Sequence, residues 1–409
     1  MPKDKNIIDP LDASLDAVAK AVVTPVSSTS RVPAPKETGA VIVPPNRRKR
    51  RAMATTICLF NHKGGVSKTT TSFNLGWVLA ELKKKVLIVD LDSQCNLTGL
   101  VLGFDAIDEE SMEGFYASRS NLTMKPIVEA LINGLSPQSF MEQDQGNLHK
   151  TKHDNLFLLP GHLDTADLDS QISVSLKIAS GVPATRNIPG NLPRILQLIA
   201  NKYNIDYVIY DLSPNVGGLN EVMLMSSDYF IVPTSPDYFC LQAIGSLNKN
   251  IYKWYNEIKQ FKQAQGFEDG NYPIGNNPVF LGEIQQRYRP RNEKPATSFA
   301  NWITQIRESI NDTLVPTLST IGCVIDKNKW DEVFKDSGLS RYDLAQIPDF
   351  NSLIAISQHL SKPIFTLSDA EIKDVGKVFG HAEVIMESSR NNFAKIFNSL
   401  GERILELTS

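Results

Sequence analysis

The chain has 409 residues, 42% apolar and 21% charged, with a formal net charge of -3. That is the composition of a globular protein with a sizeable core, which excludes a fibrous or wholly disordered chain, and nothing in the balance marks a nucleic-acid binder by charge alone. No stretch approaches about 18 consecutive apolar residues, and Lys3, Asp4 and Lys5 are followed by Asp9, Asp12 and Asp16, so neither a transmembrane helix nor a secretion signal is expected and the protein is placed in the cytoplasm.

Residues 1–52 carry ten basic and five acidic side chains, a local charge of +5 that leaves -8 on the remainder. Attraction to a phosphate backbone must therefore come from local patches. Leu11, Leu15, Val18 and Val22 recur at helical spacing within 10–22, and 23–46 is a Pro/Ser/Thr/Val-rich linker without periodicity. The segment closes on Arg47-Arg48-Lys49-Arg50-Arg51, a solvated charge run, an electrostatic arm for DNA, or a nuclear-import signal. Cys58, Cys95, Cys240 and Cys323 form no C-x-x-C pair and read as buried free thiols.

From Thr55 the pattern changes. Thr56–Phe60 is an apolar run rich in β-formers, a glycine turn follows, and 68–82 has helical periodicity. Val86–Val89 is a second unbroken apolar run, ending at Asp90. Strand, loop, helix and strand make a βαβ unit and imply a parallel sheet buried on both faces. Further strands are read at Asn155–Leu159, Tyr207–Tyr210, Tyr229–Val232 and Val279–Leu281, with helices at 191–203 and 240–263 and two more in 368–407. Residues 104–154 and 264–276 are expected to be insertions or loops.

The turn reads Asn61-His62-Lys63-Gly64-Gly65-Val66-Ser67-Lys68-Thr69-Thr70. Between a strand and a helix N-terminus, such a turn forms a nest of main-chain amides for phosphate, with Lys68 reaching the phosphates and the Thr69 hydroxyl placed for Mg²⁺. It departs from the general phosphate-binding pattern: His62 and Ser67 stand where that pattern has glycines, and Lys63 precedes Gly64. A serine at 67 can adopt the loop if its φ is negative, and on that footing it is expected to be tolerated. Asp90, Asp92 and Asp211 end apolar strands, where carboxylates can hold Mg²⁺ and orient water; a helix cap or turn is the lesser reading of Asp92.

The loop resembles the deviant Walker A motif, K-G-G-x-G-K-[ST], of the ParA/MinD superfamily of P-loop ATPases. Four further segments match in family order: Val86–Asn96, Asn155–Gly161, Tyr207–Pro214 (with Ser213 for a proline), and Ser227–Leu247, followed by Ile347-Pro348 and Leu360–Thr366 near the adenine. The resemblance implies an α/β fold with a doubly wound, mostly parallel sheet. With the composition of 1–52 and the helical pattern of the last segment, the chain is read as a disordered basic extension (1–52), an ATPase domain (53–367) and C-terminal helices packed on the core (368–409).

The same resemblance implies ATP and Mg²⁺ as cofactors, bound by Lys63, Gly64, Gly65, Val66, Ser67, Lys68, Thr69, Thr70 and Pro348, with Thr69, Asp92 and Asp211 at the metal. Lys63, Lys68 and Asp92 carry hydrolysis, and Lys63 reaches across an ATP-dependent homodimer to the partner's phosphates. The partners implied are non-specific DNA and a ParB-like or other adaptor, in a nucleoid-associated cytoplasmic protein that partitions plasmid, chromosome or phage DNA. Arg287, Arg289 and Arg291 are candidate DNA contacts or a solvated loop. Phe393, Phe397, Leu400 and Ile404 share a face with few basic neighbours, which fits core or dimer packing better than a membrane helix. The alternatives are a same-fold ATPase positioning a non-DNA or membrane cargo, an ATP-dependent metabolic ligase, and an interaction protein with a dead site.

Overall fold

The computed structural model describes residues 53–103, 109–118, 120–178, 186–267, 272–288, 290–291, 294–295, 297–377 and 380–409. The segment 1–52, with its amphipathic stretch, linker and basic run, lies outside them, as does Arg289.

The strands in chain order are β1 (Thr55–Leu59), β2 (Val86–Asp90), β3 (His149–Lys150), β4 (Leu156–Leu159), β5 (Tyr207–Asp211), β6 (Tyr229–Thr234), β7 (Val279–Tyr288), β8 (Pro290–Arg291), β9 (Lys294–Pro295) and β10 (Asp343–Pro348). The helices are α1 (Lys68–Glu81), α2 (Asn96–Leu102), α3 (Glu109–Ala117), α4 (Met124–Ile132), α5 (Pro137–Glu142), α6 (Thr165–Lys177), α7 (Ile188–Lys202), α8 (Gly218–Ser226), α9 (Tyr238–Gln265), α10 (Thr297–Ser309), α11 (Val315–Thr320), α12 (Lys327–Val333), α13 (Leu353–Leu360), α14 (Asp369–Gly376) and α15 (His381–Thr408).

Among the described residues the main sheet has eight strands in the order β10-β7-β6-β1-β5-β2-β4-β3, parallel except for β3, which runs antiparallel to β4. Helices cover both faces, so β2 and β5 are buried along their whole length, as unbroken apolar runs require. The parallel strands release their C-terminal ends on one edge, which brings the loop after β1, Asp90, Asp211, Thr234, Tyr288 and Pro348 to a common rim.

Two expectations change here. Residues 104–154 hold α3, α4 and α5 rather than loops alone, and α4 buries Met124, Ile127, Val128 and Leu131 at i, i+3, i+4 and i+7. The strand expected at Val279–Leu281 continues to Tyr288. The C-terminal face is core: Phe393, Phe397, Leu400, Ile404 and Leu407 of α15 are buried, each stabilising the fold by about 1.5–3 kcal/mol. No described helix is long and apolar enough to cross a membrane. All four cysteines are free; Cys58, Cys240 and Cys323 are buried, whereas Cys95 is only partly so.

Candidate functional site

The loop between β1 and α1 is built from its main chain outward. The Phe60 amide donates to the Ile231 carbonyl at 3.0 Å and Asn61 Nδ2 donates to the Pro233 carbonyl at 2.9 Å, tying the loop's start to β6. Asn61 Oδ1 accepts from the Lys63 amide at 3.0 Å. Gly64 and Gly65 are exposed, and Gly65 has φ 74°, which glycine adopts without strain. Ser67 has φ 56° and ψ 32°, so the expected negative φ is wrong. The chain must turn left-handed there to start α1, and the serine accepts the Cβ strain that glycine would avoid. Its carbonyl takes hydrogen bonds from the Thr71 amide and hydroxyl at 3.0 and 2.8 Å, while its side chain makes no capping bond.

Val66 is buried beneath the loop, and Thr70 begins the helix half-buried. Lys68 is buried, and its Nζ donates to the Asn61 carbonyl at 2.9 Å. Burial lowers its pKa, while Asp211 and Asp92 oppose that shift by favouring the ammonium form. His62, flanking the loop, is likewise lowered, by burial and then by Lys68.

The acids divide by environment. Asp90 is consumed structurally: its Oδ2 accepts from the Thr98 amide and hydroxyl at 2.8 and 2.7 Å, and its Oδ1 from the Asp92 amide at 3.2 Å. Burial, then Asp211, pushes it up to about 7, and both of its oxygens are already engaged by main-chain and hydroxyl donors. Asp211 Oδ1 accepts from Ser72 at 3.0 Å, and the Thr69 side chain lies close enough to this carboxylate to favour its charged form. Its Oδ2 is buried without a hydrogen-bond partner. Burial pushes Asp211 up to about 6 against the pull of Thr69, Lys68 and Ser72.

An orphaned carboxylate oxygen beside a threonine hydroxyl suits a hard cation with oxygen ligands. Among the described residues no group of three or more His, Cys, Asp or Glu side chains is placed to hold a metal ion. Asp92 is buried, with Oδ1 accepting from the Gln94 amide at 3.0 Å in a local turn.

The loop that follows β5 is tied down by side chains. Asn220 Nδ2 donates to the carbonyls of Ser213 at 2.9 Å and Asn215 at 3.0 Å, and the Leu219 amide at the start of α8 donates to Asp169 Oδ1 at 2.7 Å.

Sequence reasoning did not find the partner of Lys63. Its Nζ lies 2.6 Å from Asp237 Oδ2, with side chains 21% and 39% exposed. Asp237 also caps α9, accepting from the Cys240 amide at 2.9 Å. The next two residues, Tyr238 and Phe239, are 53% and 72% exposed.

Arg287 is not in a loop beyond the sheet. It lies on β7, and its Nη1 donates to the Gly65 carbonyl at 2.7 Å. Arg291 is in β8, paired with Lys294. Pro348 ends β10 opposite Tyr288, on the rim that carries the loop.

A family model described as an AAA domain matches residues 54–263, just over half of the chain. A virulence plasmid ParA family protein of Chlamydia psittaci is 28% identical over 246 residues, 59% of this chain and 73% of that protein. The sporulation initiation inhibitor protein Soj of Bacillus subtilis is 29% identical over 199 residues, 49% of this chain and 65% of that protein. The chain thus spans about two thirds of the length of the curated relatives it matches. A crystal structure of a Corynebacterium diphtheriae protein shares the fold at TM-score 0.55 and 20% identity, covering 75% of this chain and 97% of that one.

Proposed function

Because the chain belongs to the ParA/MinD family of P-loop ATPases, we propose that it is an ATP-driven dimeric switch that partitions or positions DNA. The observation that carries this reading is the conjunction at one rim of a glycine turn at the N-terminus of α1, a buried Lys68 and a carboxylate oxygen of Asp211 left without a partner.

The nest and Lys68 would hold the β- and γ-phosphates of ATP, with the α1 N-terminus adding positive potential. Thr69 and Asp211 would hold Mg²⁺, which supplies charge neutralisation on the phosphates. Asp92 would orient the attacking water from the end of the neighbouring strand.

Lys63 links the nucleotide to pairing of subunits. Its ammonium is held by Asp237 of its own chain. In the closed dimer it would exchange that carboxylate for the partner's phosphates, which couples ATP binding to dimerisation. The exposed Tyr238 and Phe239 supply apolar surface beside that lysine, of the kind a subunit interface uses.

Binding to DNA would be sequence-independent and salt-sensitive, because it would rest on phosphate contacts. The plasmid named in the Chlamydia relative's description supports a DNA cargo. An adaptor of the ParB type would stimulate hydrolysis and reopen the dimer at the nucleoid. A gel shift on unrelated DNA with and without Mg-ATP tests the cargo. ATP-dependent retardation that fades with added salt is expected, and none under any condition would leave an ATPase with another cargo.

A further inference from the structure

The end of β7 does something that neither strand geometry nor a DNA-contact role requires. In its pairing with β10, Ile347 faces Gln286 and Pro348 faces Tyr288, so Arg287 is one residue too many, with a register shift at this point. It is a β-bulge, and Arg287 has φ 59°, a left-handed conformation unfavourable for a residue with a Cβ. Successive side chains on a regular strand point to opposite faces, so Gln286 and Arg287 should not reach the same object. Here they do. Gln286 Nε2 donates to the Thr71 hydroxyl at 2.7 Å, and that hydroxyl donates to the Ser67 carbonyl at 2.8 Å. Arg287 Nη1 donates to the Gly65 carbonyl at 2.7 Å. Two consecutive residues of one strand therefore brace both arms of the phosphate loop.

The brace has a direct chemical consequence. In a planar trans peptide the C=O and N–H point in opposite directions. Fixing the Gly65 carbonyl on its outer side turns the Val66 N–H the other way, and fixing the Ser67 carbonyl does the same for the Lys68 N–H. A guanidinium on the carbonyl also polarises the peptide and makes its N–H a stronger donor. A Cβ at Gly65 would lie 3.6 Å from Arg287 Nη1, an ordinary contact, so it is the φ of 74° and not the arginine that calls for glycine there.

We propose that Arg287 is a positioning residue of the phosphate loop, aimed by the bulge at the Gly65 carbonyl so that the Val66 amide is presented to a triphosphate, rather than a DNA contact. The proposal rests on the reading of this loop as the ATP site.

The test uses the full chain and Mg-ATP, comparing wild type with Arg287→Gly and Arg287→Lys. Glycine relieves the left-handed strain and removes the brace, so the nucleotide-free thermal midpoint should rise while affinity for Mg-ATP falls about tenfold, the scale of one charge-assisted hydrogen bond. The loss should appear in KM, with kcat at saturating ATP within about twofold. Lysine, which keeps a charged donor, should restore most of the affinity.

Wild-type affinity in Arg287→Gly overturns the proposal and leaves the ATP site standing. A fall in both affinity and thermal midpoint also overturns it, because the arginine would then merely hold the fold. Loss of DNA binding with nucleotide affinity intact would return Arg287 to the DNA surface. Failure of the wild-type chain to bind Mg-ATP would instead remove the reading beneath the proposal.

Discussion

Asp237→Asn isolates the step that links nucleotide to subunit pairing. The aspartate does two jobs: Oδ1 caps α9 at Cys240, and Oδ2 holds Lys63 at 2.6 Å. Asparagine keeps an acceptor for the cap, since Asn and Asp are equivalent there, but removes the charge that detains the lysine. The pair is partly exposed, and ion pairs of that kind contribute roughly 0.5–1 kcal/mol. A closed dimer releases two such pairs, so their removal should favour pairing by about 1–2 kcal/mol, or roughly 5- to 30-fold in the dimer dissociation constant. Sedimentation velocity with a non-hydrolysable ATP analogue and Mg²⁺ reads this directly. Lys63→Ala in the same background should cancel the gain, because the freed group is then absent. Unchanged or weaker pairing in Asp237→Asn would show that Lys63 is not the group released on closure, and the proposed coupling would fail.

Other outcomes follow from the same geometry. Ser67→Gly should stabilise the chain by about 0.5–1 kcal/mol in chemical denaturation, since relief of left-handed strain outweighs glycine's extra unfolded-state freedom; destabilisation would contradict the φ of 56°. Glu221 is buried in α8 with Oε1 unpartnered, and burial, then Glu257, pushes it from 4.5 to about 8 against Lys253 and Lys177. Its folded pKa is raised, so the folded chain holds more protons between those two values, and stability declines as pH rises through the window. Glu221→Gln cannot ionise, and its stability relative to wild type should grow by roughly 3–5 kcal/mol between about pH 5 and pH 9; a flat difference would refute the shift. Asp92→Ala should bind Mg-ATP but turn it over at least about tenfold more slowly than wild type, and rapid phosphate release by that variant would remove Asp92 from hydrolysis.

What was legible in the sequence was what repeats locally. The apolar runs of β1, β2, β5 and β6 are buried on both faces, and a parallel sheet follows from them without knowledge of their order. The phosphate loop was legible because its residues are contiguous. Asp237 was not: it meets Lys63 across 174 residues, and nothing near either one announces the other. Arg287 read as a loop cation because a bulge is a property of two strands, and its register against β10 is invisible in β7 alone. Ser67 misled for a related reason, since its φ is dictated by the entry into α1 rather than by serine's own preference. The helices α3 to α5 were missed because each is only six to nine residues long, and α5 has a single buried residue, Phe140; α4 does carry a helical period, confined to nine residues of a segment otherwise read as an insertion.

Everything proposed for this chain depends on the main-chain amides of the loop and the Lys68 ammonium gripping a triphosphate. Calorimetric titration of Mg-ATP into the full chain, beside a Lys68→Ala variant of matched folded stability, tests it most directly. Saturable binding by the wild type and none by the variant is the expected result; equal heats from both would show that Lys68 does not hold the nucleotide.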